Sequence, residues 1–181
     1  MSVLNKAETL VAGWLKPVPH LPKVAQKWFA ENIWWIVLIG VIASVVGILV
    51  ALGTIFTYLA FIGNATAYYG VYTTSVYGSG WIVSTIVSLA FSVALLIVTA
   101  LAITPLKAHL RKGWSLLFLG LVLSAANVVL GAILSFNILG FIFGLIFGAI
   151  GLAITAYLLF EIKSHFVGAG ASAVHAKTAK K

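Results

Sequence analysis

Two stretches of this chain carry no charged side chain: Asn32 to Leu106, and Gly113 to Phe160. Each far exceeds the roughly 20 apolar residues that cross a bilayer core. A soluble domain keeps its surface wet with charged groups. Here hydrophobic residues make up 62% of the chain and charged residues 8%, and the only acids are Glu8, Glu31 and Glu161. The chain is therefore expected to be an all-α integral membrane protein. Its second uncharged stretch, from Trp114 to Phe160, would make a single helix of about 70 Å, more than twice a bilayer core, so it must hold two spans.

This gives four spans, at about 33–60, 81–104, 114–134 and 138–160, within a bundle covering 32–166. The first overreaches a 30 Å core and is expected to tilt or to lie partly in the interface. Pro105 should end the second span, and Ser135 to Asn137 should form a tight turn between the third and fourth. From Gly63 to Gly80 runs GNATAYYGVYTTSVYGSG, expected to be a loop at the far surface. Residues 167–181 read as a flexible basic tail.

Residues 1–31 read as an N-terminal amphipathic helix and a proline-rich linker. From Ser2 to Lys16, Val3, Leu4, Ala7, Leu10, Val11, Trp14 and Leu15 recur at helical spacing, opposite Asn5, Lys6, Glu8 and Thr9. Such a helix can lie in the headgroup layer or pack on the protein's own membrane-side loops, and the pattern serves both. Pro17, Pro19 and Pro22 break it. The following KVAQKWFAENIWW, basic and rich in tryptophan, suits a chain climbing through the interface.

Of the eleven Lys and Arg, four precede the first span, three lie between the second and third, and four follow the fourth. The positive-inside rule then places both termini and the central loop in the cytoplasm, in what is expected to be the cytoplasmic membrane. The net charge of +8 is read as topology and contact with anionic lipid. No nucleic-acid partner is expected, because there is no room for a folded basic domain.

Packing signals are stronger than chemical ones. In the fourth span Gly140, Gly144 and Gly148, continued by Gly151, recur so as to make a ridge that another helix can approach closely. Gly144 is its expected centre. Ser84, Ser88 and Ser92 form a comparable small-residue ridge in the second span, while Gly40 and Ser44, or Gly120 and Ser124, offer partners. An internal repeat underlies this. At an offset of 56 (Thr99 to Thr155), Ser84, Ser88 and Ser92 fall on Gly140, Gly144 and Gly148, and Leu106-Lys107-Ala108-His109-Leu110 falls on Ile162-Lys163-Ser164-His165-Phe166. At an offset of 80 (Trp34 to Trp114), Gly40, Ser44 and Ala51 fall on Gly120, Ser124 and Gly131. Two hairpins of the same direction are expected, as in parallel-repeat membrane proteins.

Catalytic, cofactor and metal sites are not expected. The chain has no cysteine. Its spans hold no lysine for a Schiff base, no histidine for haem and no carboxylate for ion coupling. His20, His109, His165 and His175 lie outside the spans, without converging acidic partners. Asn127, in the third span, should make an interhelical hydrogen bond. Tyr68, Tyr69, Tyr72 and Tyr77 exceed what an aromatic belt needs, which makes their loop the leading partner surface. The expected function is that of a non-enzymatic structural or assembly subunit, forming a homo-oligomer or part of a membrane complex. The alternative is a small channel or uncoupled facilitator, with a path between the hairpins.

Overall fold

The structure is a computed structural model and describes residues 3–69, 79–134 and 138–166. Among these it is entirely helical: α1 (Val3–Leu15), α2 (Lys23–Tyr69), α3 (Ser79–Lys107), α4 (Arg111–Ile133) and α5 (Ile138–Glu161), then a 3-10 turn at Lys163–His165. Four of these helices are long and apolar enough to cross a membrane.

Three boundaries differ from the sequence reading. Helix α2 begins at Lys23, so the division expected at residue 31 falls inside it, and it continues through the first part of the expected tyrosine loop to Tyr69. Nothing between Val24 and Tyr69 forces a break: the segment has no proline, and a glycine costs only about 1 kcal/mol in a helix already nucleated. At 1.5 Å per residue it is about 70 Å long, so it projects well past a bilayer core. Pro105 lies inside α3 and does not end it. It removes one intrahelical hydrogen bond, in the last turn, where a different closure takes over.

That closure is a Schellman motif. The His109 N–H donates to the Leu106 carbonyl and the Leu110 N–H donates to the Pro105 carbonyl, both at 2.9 Å. His109 occupies the left-handed position that glycine usually fills, with φ of 53°. Its ring stacks on Phe166, centroids 5.8 Å apart, which ties the turn to the end of α5.

Sequence neighbours form the main interfaces: α2 on α3, α3 on α4 and α4 on α5, with α1 touching α5. The start of α2, the end of α3, the start of α4 and the end of α5 meet at one end, where Lys107, Arg111, Lys112 and Lys163 are. The buried cluster sits there too: Ala30 from α2, Ala102 and Leu106 from α3, Trp114, Phe118 and Leu121 from α4, and Ala156 and Leu159 from α5, with Ile162 and Phe166 beyond it. Farther along, no residue in the most apolar window of α2 or of α5 is buried. Burial is thus concentrated at the basic end, while along the spans α4 still packs on α3 and α5.

Candidate functional site

Local chemistry explains why the basic end is knitted. Trp114 is fully buried, and its indole N–H donates to the Leu159 carbonyl at 2.7 Å, so the one polar atom of a large apolar ring is satisfied. Phe118 stacks on that ring and Phe160 meets it edge-on, each with centroids 5.5 Å away. Above it stand two cations, the Arg111 guanidinium at 4.3 Å from the ring centroid and the Lys163 ammonium at 5.3 Å. Both converge on one oxygen of Glu8 in α1, at 2.7 Å each. Burial pushes the Glu8 carboxyl upward, but its bonds and attraction to Lys163 and Arg111 outweigh this and hold it below the usual range.

A second carboxylate works beside the first. Glu161, at the last position of α5, has a side chain only 6% exposed. Its Oε1 lies 2.6 Å from His20 Nδ1; because a carboxylate only accepts, that nitrogen carries the proton. Its Oε2 accepts from the Leu21 N–H at 2.8 Å and from Gln26 Nε2 at 2.9 Å. The same Gln26 nitrogen also donates to the Leu21 carbonyl, and the Tyr157 hydroxyl donates to the Pro19 carbonyl at 2.7 Å. The proline-rich linker is therefore fastened to α5 residue by residue. Sequence reasoning missed these partners, which lie more than a hundred positions apart.

The residues expected to pack helices divide into four groups. Gly148 faces α4 so closely that an added Cβ would run into Val128, and one on Gly144 would stop 3.9 Å from the Ala132 Cβ. Gly120 faces α3, where a Cβ would meet Leu95 Cδ1 at 3.3 Å and Thr99 at 3.8 Å. Those fourth-span glycines therefore meet the third span at Val128 and Ala132, and not at Gly120 or Ser124. Ser44, Ser88 and Ser92 do not close on each other; with Gly47, Ile48, Ala51, Thr85, Leu89 and Leu95 they line a cleft of about 300 Å³ between α2 and α3. Gly40 and Gly151 face open space. Ser84 is half-buried on α3, and Gly140 and Ser124 are half-buried on α5 and α4.

Gly148 is thus the tight position, one turn beyond the expected centre. Gly148→Ala should destabilise the protein by about 2 kcal/mol, the usual range for overpacking, because Val128 is β-branched and has little freedom to turn aside. Adding Val128→Ala should restore much of that loss, whereas Gly144→Ala should change little. Unfolding in mixed micelles measures all three, and additive losses in the double variant would exclude the contact.

Asn127 lies two turns from Gly120 on the same face of α4. Its amide oxygen is buried and has no hydrogen-bond partner among the described residues, so the expected interhelical bond is not made by that atom. The Thr99 hydroxyl turns back onto the carbonyls of Leu95 and Leu96, within its own helix. Tyr68 and Tyr69 fall on the last turn of α2, while Tyr72 and Tyr77 lie outside the described residues. No group of three or more potential metal ligands occurs among the described residues.

Fold and site together define a helical protein with four helices able to span a bilayer, clamped at one end by two carboxylates. No family model matches the chain, and neither a curated protein nor a solved structure matches it.

Proposed function

We propose that the chain is a non-enzymatic structural or assembly subunit of the cytoplasmic membrane, with both termini in the cytoplasm and its basic end against anionic lipid. It acts by presenting bare helix faces to a second copy or to a larger membrane partner, with the tyrosine-rich outer segment adding contact area. One observation carries this reading: on the outermost spans, Gly40 and Gly53 of α2 and Gly151 of α5 have nothing within 4 Å of an added Cβ. Lipid tails are as apolar as leucine, so helices associate in a bilayer through close backbone approach, which such positions permit. The buried Glu161 and the partly exposed Glu8 are, moreover, both engaged in tying segments together.

Two parallel hairpins suit this role, and the contacts support the repeat. Lys107 stands 4.9 Å above the Trp34 ring in the first hairpin, and Lys163 stands 5.3 Å above the Trp114 ring in the second. These are the same pair under the two offsets read in the sequence. Leu106 and Ile162, equivalent in the repeat, are both fully buried. Val128 meets Gly148 in the second hairpin, and their equivalents Ile48 and Ser92 line one cleft in the first.

That cleft favours the second reading, a small channel or facilitator, since its wall carries the hydroxyl side chains Ser44, Thr85, Ser88 and Ser92. One set of variants separates the two. Gly40→Leu and Gly151→Leu should leave the folded chain intact and dissolve larger species extracted from native membranes. Single cysteines replacing Ser75 and Ser172 should label from opposite sides of the membrane. Labelling from one side only removes the four-span topology. A complex unchanged in size by both leucines, with solute flux abolished by Ser88→Leu, favours the channel.

A further inference from the structure

Arg111 and Lys163 are held in place from below, by the buried Trp114 ring and, for Lys163, by Phe160 at 5.5 Å. An oxygen at the position of Glu8 Oε1 lies 2.7 Å from both. The three side chains are only partly covered: 36% exposed for Arg111, 32% for Lys163 and 23% for Glu8. Two cations meet one carboxylate, and Lys112, next to Arg111 in sequence, is exposed, so positive charge exceeds what Glu8 neutralises. Helix α1 itself is divided. Ala7 and Val11 rest on the buried cluster, while on the adjoining edge Leu10 and Trp14 are 52% and 71% exposed, large apolar side chains that the protein leaves uncovered.

We propose that Arg111 and Lys163 form a phosphate-binding site which Glu8 fills from within the chain, and that the phosphate of an anionic lipid replaces Glu8 and frees α1 to lie on the bilayer. A guanidinium fork beside an ammonium suits a phosphate better than a carboxylate, since phosphate offers more oxygens to both at once. Exchange is easy because ion pairs this exposed are weak. The site requires the basic end to lie at the membrane surface, as proposed above, which places lipid phosphate beside it. Once released, α1 keeps a favourable place to go: Leu10 and Trp14 suit the interface, with Lys6 and Lys16 toward the headgroups.

Glu8 then acts as a competitor, and lipid affinity is reduced by the fraction of time that it is bound. The full chain with Thr9→Cys and Ser115→Cys, both exposed and both in an otherwise cysteine-free protein, reports the distance between α1 and α4 through paired spin labels. In phosphatidylcholine vesicles one short distance is expected, and adding phosphatidylglycerol should bring in a longer one. Affinity for short-chain phosphatidylglycerol in neutral micelles should rise about tenfold in Glu8→Gln if the pair is closed nine-tenths of the time. It should stay unchanged in Glu31→Gln, which removes the same charge from an exposed pair with Lys27. Arg111→Gln added to Glu8→Gln should abolish the gain. A distance indifferent to phosphatidylglycerol, or an equal gain in Glu31→Gln, overturns the site. Release by inorganic phosphate in neutral vesicles, at concentrations matching the lipid, overturns the lipid as its occupant. Failure of the chain to enter vesicles overturns the membrane reading instead, and is seen before any label is read.

Discussion

Replacing Gly113 by alanine is expected to destabilise the protein by about 3 kcal/mol, the upper part of the usual range for overpacking. An added Cβ would sit 2.7 Å from the Leu106 backbone nitrogen and 2.9 Å from the Pro105 carbonyl carbon. Backbone cannot turn aside as a side chain can. Relief requires the end of α3 and the start of α4 to separate, and that is where the fully buried Leu106 and Trp114 enter the core cluster. The Gly113 N–H also donates to the Leu110 carbonyl at 2.9 Å, so the glycine closes the turn that its own lack of a side chain permits. Three other glycines give the comparison. Gly120→Ala meets the end of a flexible leucine at 3.3 Å and should cost less than about 1 kcal/mol. Gly148→Ala lies between the two. Gly131→Ala meets nothing within 4 Å and should be neutral or slightly stabilising, through helix propensity. Unfolding midpoints in mixed micelles that fail to rank Gly113 first would show that the α3–α4 turn is looser than described.

The four long helices were legible because charge-free length is the one signal that a bilayer enforces. Helix ends were less so. Pro105 looked like a terminus because a proline cannot donate, yet a proline in the last turn loses one bond and keeps its carbonyl, which the Leu110 N–H uses. The tyrosine segment looked like a loop from its composition, but Gly63 through Tyr69 continue a helix already nucleated upstream, where propagation is cheap. The glycines of the fourth span were legible as a ridge for a neighbouring helix, but not which of them would be tight. Spacing identifies a ridge, but which turn is tight depends on where α4 places Val128, a tertiary fact. The lysine–tryptophan pairs were half visible: the repeat aligned Trp34 with Trp114 and Lys107 with Lys163, but not one kind of residue with the other.

Glu161 was the most informative residue and the least read. A carboxylate at the C-terminal end of a helix opposes the helix dipole, and cations are the usual occupants there. That local violation, in a chain with only three acids, is the signal that could have pointed to a dedicated partner. The partner itself, a histidine between two prolines at the other end of the chain, has no local signature. Glu8 carries even less, since a glutamate on a polar helix face is ordinary until Arg111 and Lys163 are seen to meet on it.

Glu161→Ala should therefore unfasten the N-terminal segment while leaving the spans in place. The substitution strips the acceptor from the Leu21 N–H, from Gln26 Nε2 and from His20 together, in a place where the side chain is 6% exposed and water is a poor replacement. Losing charge-assisted bonds and leaving a buried donor unpaired costs about 3 kcal/mol, roughly a hundredfold in the population with the linker open. The peptide bond after Lys23 reports this directly. Trypsin cuts there only when the start of α2 is released, and cleavage tracks the open population when reclosing is fast. Cleavage after Lys23 should therefore accelerate by about that factor, with helix content unchanged. Tyr157→Phe, which removes only the bond to the Pro19 carbonyl, should accelerate it by about tenfold or less. His20→Ala should fall between them, because the histidine is 70% exposed and water can take its place. Wild-type cleavage in Glu161→Ala would mean that the linker is held by the prolines and by α1, with the carboxylate incidental. Acceleration matched by Glu31→Gln, at an exposed carboxylate on α2, would assign the effect to net charge alone.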